Sequence, residues 1–267
     1  LTSLDISKFN TWRVKSMELM FAYCKNLETI YSEDFMTGRL QSSYNMFNQC
    51  NALKGAINYQ DNTQIKDANG ASWRHGYFTK LVGKNGSEKI GATGKPLTVA
   101  RLDLTDDKDF VANDEPFTVK VASYSRTMST TWGTLCLPFE VSLEGQNFRA
   151  FTLRSVTEDA IELEEITSYI NAGTPVIIKM NDGETTLNFS VENNDIAITP
   201  QDTYEKYQLQ VLYTQKEFSK DADNNCYIVK GNKLMNPGKL LENKKVTKVV
   251  SKPFRAYMVD NSPAPAT

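Results

Sequence analysis

The sequence predicts a multidomain chain: a short solenoid of strand-plus-helix repeats over residues 1–80, then an all-β sandwich or barrel-like region over residues 81–267, as one or two β subdomains. Three observations predict it. The chain repeats itself every 26 residues near its start, the hydrophobic period changes inside each copy, and short β-like runs separated by turn residues fill the remainder.

The repeat comes from writing Leu1–Asn26 above Leu27–Ala52. Leu1 then meets Leu27, Leu4 meets Ile30, Phe9 meets Phe35, and Thr11 meets Thr37. Val14 meets Leu40, Ser16 meets Ser42, and the Met20-Phe21 pair with Cys24 meets Met46-Phe47 with Cys50. A third copy starts at Leu53 and fades through Ala56 and Ile57. Within a copy, Leu4 and Ile6 alternate with polar neighbours, the pattern of a strand with one face inward. Met17, Met20, Phe21 and Cys24 fall at i, i+3, i+4 and i+7, one stripe of a short helix. A strand and a helix per 26 residues is the unit of a leucine-rich-repeat solenoid. Packed helices sit about 8–10 Å apart, beyond the ~7 Å reach of a disulfide, so Cys24 and Cys50 read as buried, unpaired thiols.

The stretches LDISKFNTWRVKSMELMFAYCKNL and EDFMTGRLQSSYNMFNQCNAL resemble the repeats of BspA-like leucine-rich-repeat proteins, chiefly through Met-Phe-x-x-Cys-x-x-Leu. Trp12 and Gly38-Arg39 depart from the family's small polar residues. The resemblance implies a secreted or surface-attached protein, often adhesive. Segments YSRTMSTTWGTLCLPFEV, INAGTPVIIKM, CYIVKGNKLM and KPFRAYMV are similar, in order, to a C-terminal β domain common on Bacteroidales surface proteins, for which that resemblance implies location rather than activity.

Residues 58–80 are polar and turn-rich, and Trp73, Tyr77 and Phe78 are candidates to cover the last apolar edge of the repeats. The Gly-rich stretch 83–96 lacks a phosphate-loop pattern and reads as turns between short strands. Strands are expected at Phe117–Ala122, Gly133–Val141, Ala160–Leu163, Thr174–Met180, Thr185–Val191, Cys226–Val229 and Lys252–Val259, rich in Val, Ile, Thr, Phe and Tyr. Pro138, Pro175 and Pro253 belong at strand edges, bulges or first positions.

Composition bounds the chemistry. A net charge of −2 and a pI near 5.7 give no electrostatic footprint for nucleic acid, and no apolar run approaches the length of a membrane span. The single histidine, His75, sits in a turn, which argues against histidine-dependent nucleophilic catalysis and against zinc. The chain therefore reads as a non-enzyme with no cofactor and no metal. The acidic groups Asp103, Asp106, Asp107, Asp109 and Asp221, Asp223, Asn224 lack the spacing of a calcium-binding loop and suit turns. Glu162, Glu164 and Glu165 read as a solvated strand face. Cys136 with Cys226 is the one pair left open for a disulfide.

The expected function is an interaction or adhesion protein, with a protein or glycan on a host or neighbouring cell surface as partner; the alternative is a carbohydrate-binding or carbohydrate-active β domain. Outward strand positions stack one repeat apart as Asp5, Tyr31, Ile57 and as Ser3, Thr29, Gly55. Asp5, Thr29, Tyr31 and Ile57 are the candidate partner-binding residues.

Overall fold

The computed structural model describes residues 1–156, 160–203 and 207–262. In chain order its strands are β1 (Ser3–Asp5), β2 (Thr29–Ser32), β3 (Phe78–Asn85), β4 (Glu88–Ala92), β5 (Thr98–Thr105), β6 (Phe110–Ala112), β7 (Thr118–Thr127), β8 (Trp132–Leu135), β9 (Val141–Ser142) and β10 (Phe148–Val156). They continue with β11 (Ile161–Ile166), β12 (Tyr169–Ile170), β13 (Val176–Met180), β14 (Thr186–Asp195), β15 (Tyr207–Leu212), β16 (Lys216–Glu217), β17 (Cys226–Lys230), β18 (Lys233–Met235), β19 (Val250–Ser251) and β20 (Arg255–Asp260). Among the described residues the one α-helix is α1, Pro237–Leu241.

The chain divides into two compact units. The first holds Leu1–Gly83, Glu88–Ala100 and Asn113–Thr118; the second holds Lys84–Ser87, Arg101–Ala112 and Val119–Thr267. Lys80, the sequence-level boundary, lies inside β3, and the first unit takes up further segments beyond it.

In the first unit the 26-residue register is a physical pairing. Strands β1 and β2 run parallel with Ser3 opposite Thr29, Leu4 opposite Ile30 and Asp5 opposite Tyr31; Ser16 and Ser42 form a further parallel bridge. The expected helix is absent. Residues 17–24 are a chain of turns whose amides divide between two destinations. Met17, Leu19, Phe21 and Tyr23 donate to the carbonyls of Ser42, Tyr44, Met46 and Asn48 in the next coil, at 3.0, 3.1, 2.9 and 2.7 Å. Met20, Ala22 and Cys24 instead close tight turns onto Met17, Leu19 and Phe21. An α-helix keeps every amide for its own i−4 carbonyl; here half go to the neighbour. This alternation needs left-handed residues, and they recur at the repeat spacing: Leu19 (φ 53°) and Asn45 (φ 52°), Tyr23 (φ 63°) and Gln49 (φ 62°).

The i, i+3, i+4, i+7 stripe is correspondingly split. Met17 and Phe21 are buried, whereas Met20 and Cys24 are exposed, which corrects the expectation of two buried thiols. Phe21 stacks on Phe47 at 5.4 Å between ring centroids, and Phe78 meets both edge-on, with Phe35 against its other side. Burial of each such ring contributes about 1.5–3 kcal/mol.

The third copy does not continue the stack through Ile57. Lys54 still donates to Glu28 one repeat back, but the chain then makes an excursion and returns as β3, which places Phe78 opposite Ile30 and Thr79 opposite Tyr31. Gly55 permits the departure, since a Cβ there would sit 2.5 Å from the Tyr77 carbonyl carbon. The excursion receives the amides that the second coil would otherwise offer to a third: Phe47 N–H bonds to Lys66 O at 2.9 Å and Gln49 N–H to Tyr59 Oη at 3.1 Å. Tyr77 and Phe78 are fully buried in this core, and Trp73 is packed against it.

In the second unit the β11-β10-β13-β8 and β15-β20-β17-β18 sheets and both two-stranded sheets, β12-β9 and β16-β19, are antiparallel. A further sheet runs β14-β7-β5. The seven expected strand segments are all present, with shifted ends: Gly133–Val141 breaks after Leu135, and Pro138 lies in the break. Pro175 precedes β13 and Pro253 precedes β20, where a missing amide costs no ladder bond. Tyr124, Phe189, Phe148, Phe254 and Tyr213 form the aromatic centre of this unit.

Candidate functional site

The strand row expected to bind a partner is already occupied from within its own unit. Lys89 on β4 forms an ion pair with Asp5 and holds its ammonium 5.3 Å from the centre of the Tyr31 ring. The same bond drops the Asp5 carboxyl to about 2. Tyr31 is half-buried, and burial raises its phenol pKa against the opposing pull of Lys89. Its ring lies so close to β4 that a Cβ at Gly91 would come within 2.9 Å of it. Thr29 is half-buried beside Ser3. Ile57 is not in this row: it packs against the core from the excursion, and Thr79 takes its place opposite Tyr31. Lys89 gave no sequence signal, because it sits in the Gly-rich stretch and meets Asp5 only after the chain has returned.

A different surface of the first unit carries the unsatisfied apolar chemistry. Phe9, Trp12, Leu19, Tyr23, Met36 and Tyr44 are 53%, 49%, 53%, 64%, 48% and 69% exposed. None lies on a strand: Trp12, Leu19, Tyr23 and Tyr44 stand in turns, and Phe9 and Met36 in irregular chain. Trp12 has Gly38 as its counterpart one repeat on, and Arg39 beside that glycine lays its guanidinium 4.2 Å above the indole centre. Leu19 and Tyr23 hold bulky side chains in the left-handed region, where the corresponding residues of the next coil are Asn45 and Gln49. A non-glycine residue there costs roughly 1–2 kcal/mol.

Of the acidic residues named from the sequence, Asp103, Asp106, Asp107, Asp223 and Glu165 are held by cations. In the second unit Asp106, largely buried, is met by Arg255, by Lys252 at 3.5 Å and by Arg126 at 4.0 Å. Asp107 bonds to Lys252, Asp103 to Arg101 and Ser123, and Asp223 to Lys216 at 3.0 Å. Asp109 accepts from the Gln215 amide. Arg126 donates to Thr134 O at 2.8 Å, and burial followed by the neighbouring Arg255 lowers its pKa. On β11, Glu165 is bound by both arms of Arg149 and Glu162 by Ser155. His75 is exposed in a turn, its Nδ1 3.4 Å from Ser72 Oγ, and that oxygen also accepts the Arg74 amide. Also in the second unit, Trp132 lines a groove of about 260 Å³ with Ile161, Leu163, Ile177, Val229 and Leu234, together with Asn232 and Lys233. All four cysteines are free; Cys136 and Cys226 are buried.

Among the described residues no helix is long and apolar enough to cross a membrane. Residues 2–81 match a family model described as a Mycoplasma protein of unknown function, DUF285, and this match fits the BspA-like character of the same residues. No curated protein and no solved structure matches the chain.

Proposed function

We propose that the first unit is a short repeat solenoid of the leucine-rich, BspA-like kind, and that the chain is a non-enzymatic interaction or adhesion protein, secreted or held at a cell surface. Its partner is a protein or glycan on a host or neighbouring cell, and the second unit serves as spacer or attachment module. One observation carries this reading. Most of the exposed large apolar side chains fall within residues 1–44, where Trp12, Tyr23 and Tyr44 stand in turns and Arg39 stacks on Trp12. Tyr, Trp and Arg dominate the energetics of protein contacts. The proposed binding residues are therefore Trp12, Tyr23 and Tyr44 at the turns, in place of the strand row of Asp5, Thr29 and Tyr31, where Lys89 already sits.

The alternative, a carbohydrate-binding or carbohydrate-active second unit, calls for aromatic platforms beside carboxylates. The Trp132 groove has one aromatic ring and aliphatic walls, and the groove holding Tyr207 and Tyr227 has the single carboxylate of Asp260 rather than the pair that glycoside hydrolysis uses. Binding of the fluorescently labelled chain to intact host or neighbouring cells tests the proposal. The double variant Trp12→Ala/Tyr44→Ala should lower binding at least ~10-fold with an unchanged melting temperature. Equal binding by variant and parent would sink it.

A further inference from the structure

We propose that Cys24 and Cys50 form a thiol–disulfide exchange site: Cys24 takes up a low-molecular-weight disulfide from solution, and Cys50 resolves it into a covalent clamp between the first two coils. The argument begins with spacing. Coils joined by direct backbone hydrogen bonds lie about 4.7–4.9 Å apart, like strands, and a disulfide accepts Cα separations of about 4.4–6.8 Å. The bonds from Met17, Leu19, Phe21 and Tyr23 to the next coil keep one offset throughout, so Cys24 and Cys50 are nearest neighbours across the stack. The carbonyl of Phe21 shows how near. It accepts the Cys24 amide at 3.2 Å and the Cys50 thiol at 2.9 Å, which sets the Cys50 sulfur against the start of the Cys24 residue.

The two thiols differ in the way such a reaction requires. Cys24 is exposed and opens into a hollow of about 440 Å³, whereas Cys50 is fully buried. Burial also pushes the Cys50 thiol up to about 11. The exposed thiol is therefore the one that meets the oxidant, and the buried one acts second.

The steps balance as two exchanges. The Cys24 thiolate attacks one sulfur of an added disulfide such as oxidised glutathione, forming a mixed disulfide and releasing one thiolate, which takes up the proton Cys24 lost. Cys50 then gives up its proton and attacks the Cys24 sulfur, forming the Cys24–Cys50 bond and expelling the second thiolate. The added disulfide is reduced to two thiols, and the two cysteines lose two electrons.

The test incubates the full chain with oxidised glutathione, alkylates remaining thiols in denaturant, and maps tryptic peptides without reduction. The expected product has two alkylated cysteines, Cys136 and Cys226, and a crosslink joining residues 16–25 to residues 40–54. In Cys50→Ser, Cys24 should retain one glutathione; in Cys24→Ser, all three remaining thiols should survive. A wild-type chain that keeps glutathione on Cys24 with Cys50 free overturns the proposal. So does a Cys24–Cys24 link between two chains, or four unmodified thiols. Because the readout is a covalent bond, its failure leaves the adhesion reading untouched, and loss of adhesion leaves this site untouched.

Discussion

The two units solve one problem, how to satisfy a backbone while burying a core, by opposite routes. The first stacks copies of one coil in parallel, so a single pattern of donors is used twice, and its core buries the rings of Phe21, Phe47, Tyr77 and Phe78 with no charged group among them. The second pairs unlike strands in antiparallel fashion and encloses charge, with Asp106 set among Arg126, Lys252 and Arg255. Repetition makes the first unit legible from sequence and leaves its turns free to vary at the surface. Convergence of distant residues makes the second unit specific and hides its key contacts from any local pattern.

The sharpest way to break this comparison is at the shared core of the coils. Phe47 is fully buried and touches the rings of Phe21, Tyr77 and Phe78. Phe47→Ala should cost about 4 kcal/mol, read as accelerated amide exchange throughout residues 17–54. A loss under about 1 kcal/mol would mean that the coils do not share one core.

Charge is the matching lever in the second unit. Asp106→Asn leaves Arg126 and Arg255 without their carboxylate in a largely buried setting, and should cost about 3 kcal/mol. Chemical denaturation with exchange read on β7 and β20 measures it. A neutral result would show that solvent already compensates these cations.

A smaller effect has the opposite sign. Tyr23→Asn removes a bulky side chain from left-handed backbone that asparagine tolerates, and should stabilise the first unit by about 0.5–1 kcal/mol while weakening cell binding. Loss of stability would show that the Tyr23 ring is held by packing, and unchanged binding would remove it from the proposed surface.

The smallest effect concerns acid. The Asp5 carboxyl is depressed from its ordinary 3.8 to about 2 by its bond to Lys89. Its contribution is fully present above the unfolded value and is lost as pH falls from about 4 through 2. Because the pair is partly solvated, the whole effect should stay under ~1 kcal/mol. Comparing the parent with Lys89→Met across that window should show a shallower acid slope in the variant; identical slopes would remove the pair's role.

How much of this was legible follows from where each interaction lives. The pairing of Leu4 with Ile30 and of Ser16 with Ser42 is written in the 26-residue repeat, and the strands of the second unit are written in β-branched runs. The sequence points to a helix over Met17–Cys24, where the structure has turns, because three- and four-residue spacing is shared by helices and by successive tight turns. What separates them is the destination of the amides, which depends on the neighbouring coil. The fading of the third copy after Leu53 is legible, but the 26-residue spacing places Ile57 beside Tyr31, where the returning chain puts Thr79 instead. The cation above Tyr31 and the cluster around Asp106 join residues distant in the chain, so no window of sequence contains them. Of the candidate site, the unit was legible and the face was not: apolar side chains at turns look, in sequence, like core.

The measurement that goes most directly to the stacked-coil account is hydrogen-bond scalar coupling in the isotope-labelled chain. The account predicts couplings from the amide nitrogens of Leu19, Phe21 and Tyr23 to the carbonyl carbons of Tyr44, Met46 and Asn48. Couplings from Phe21 to Met17 and from Tyr23 to Leu19, the i−4 pattern of a helix, would contradict it.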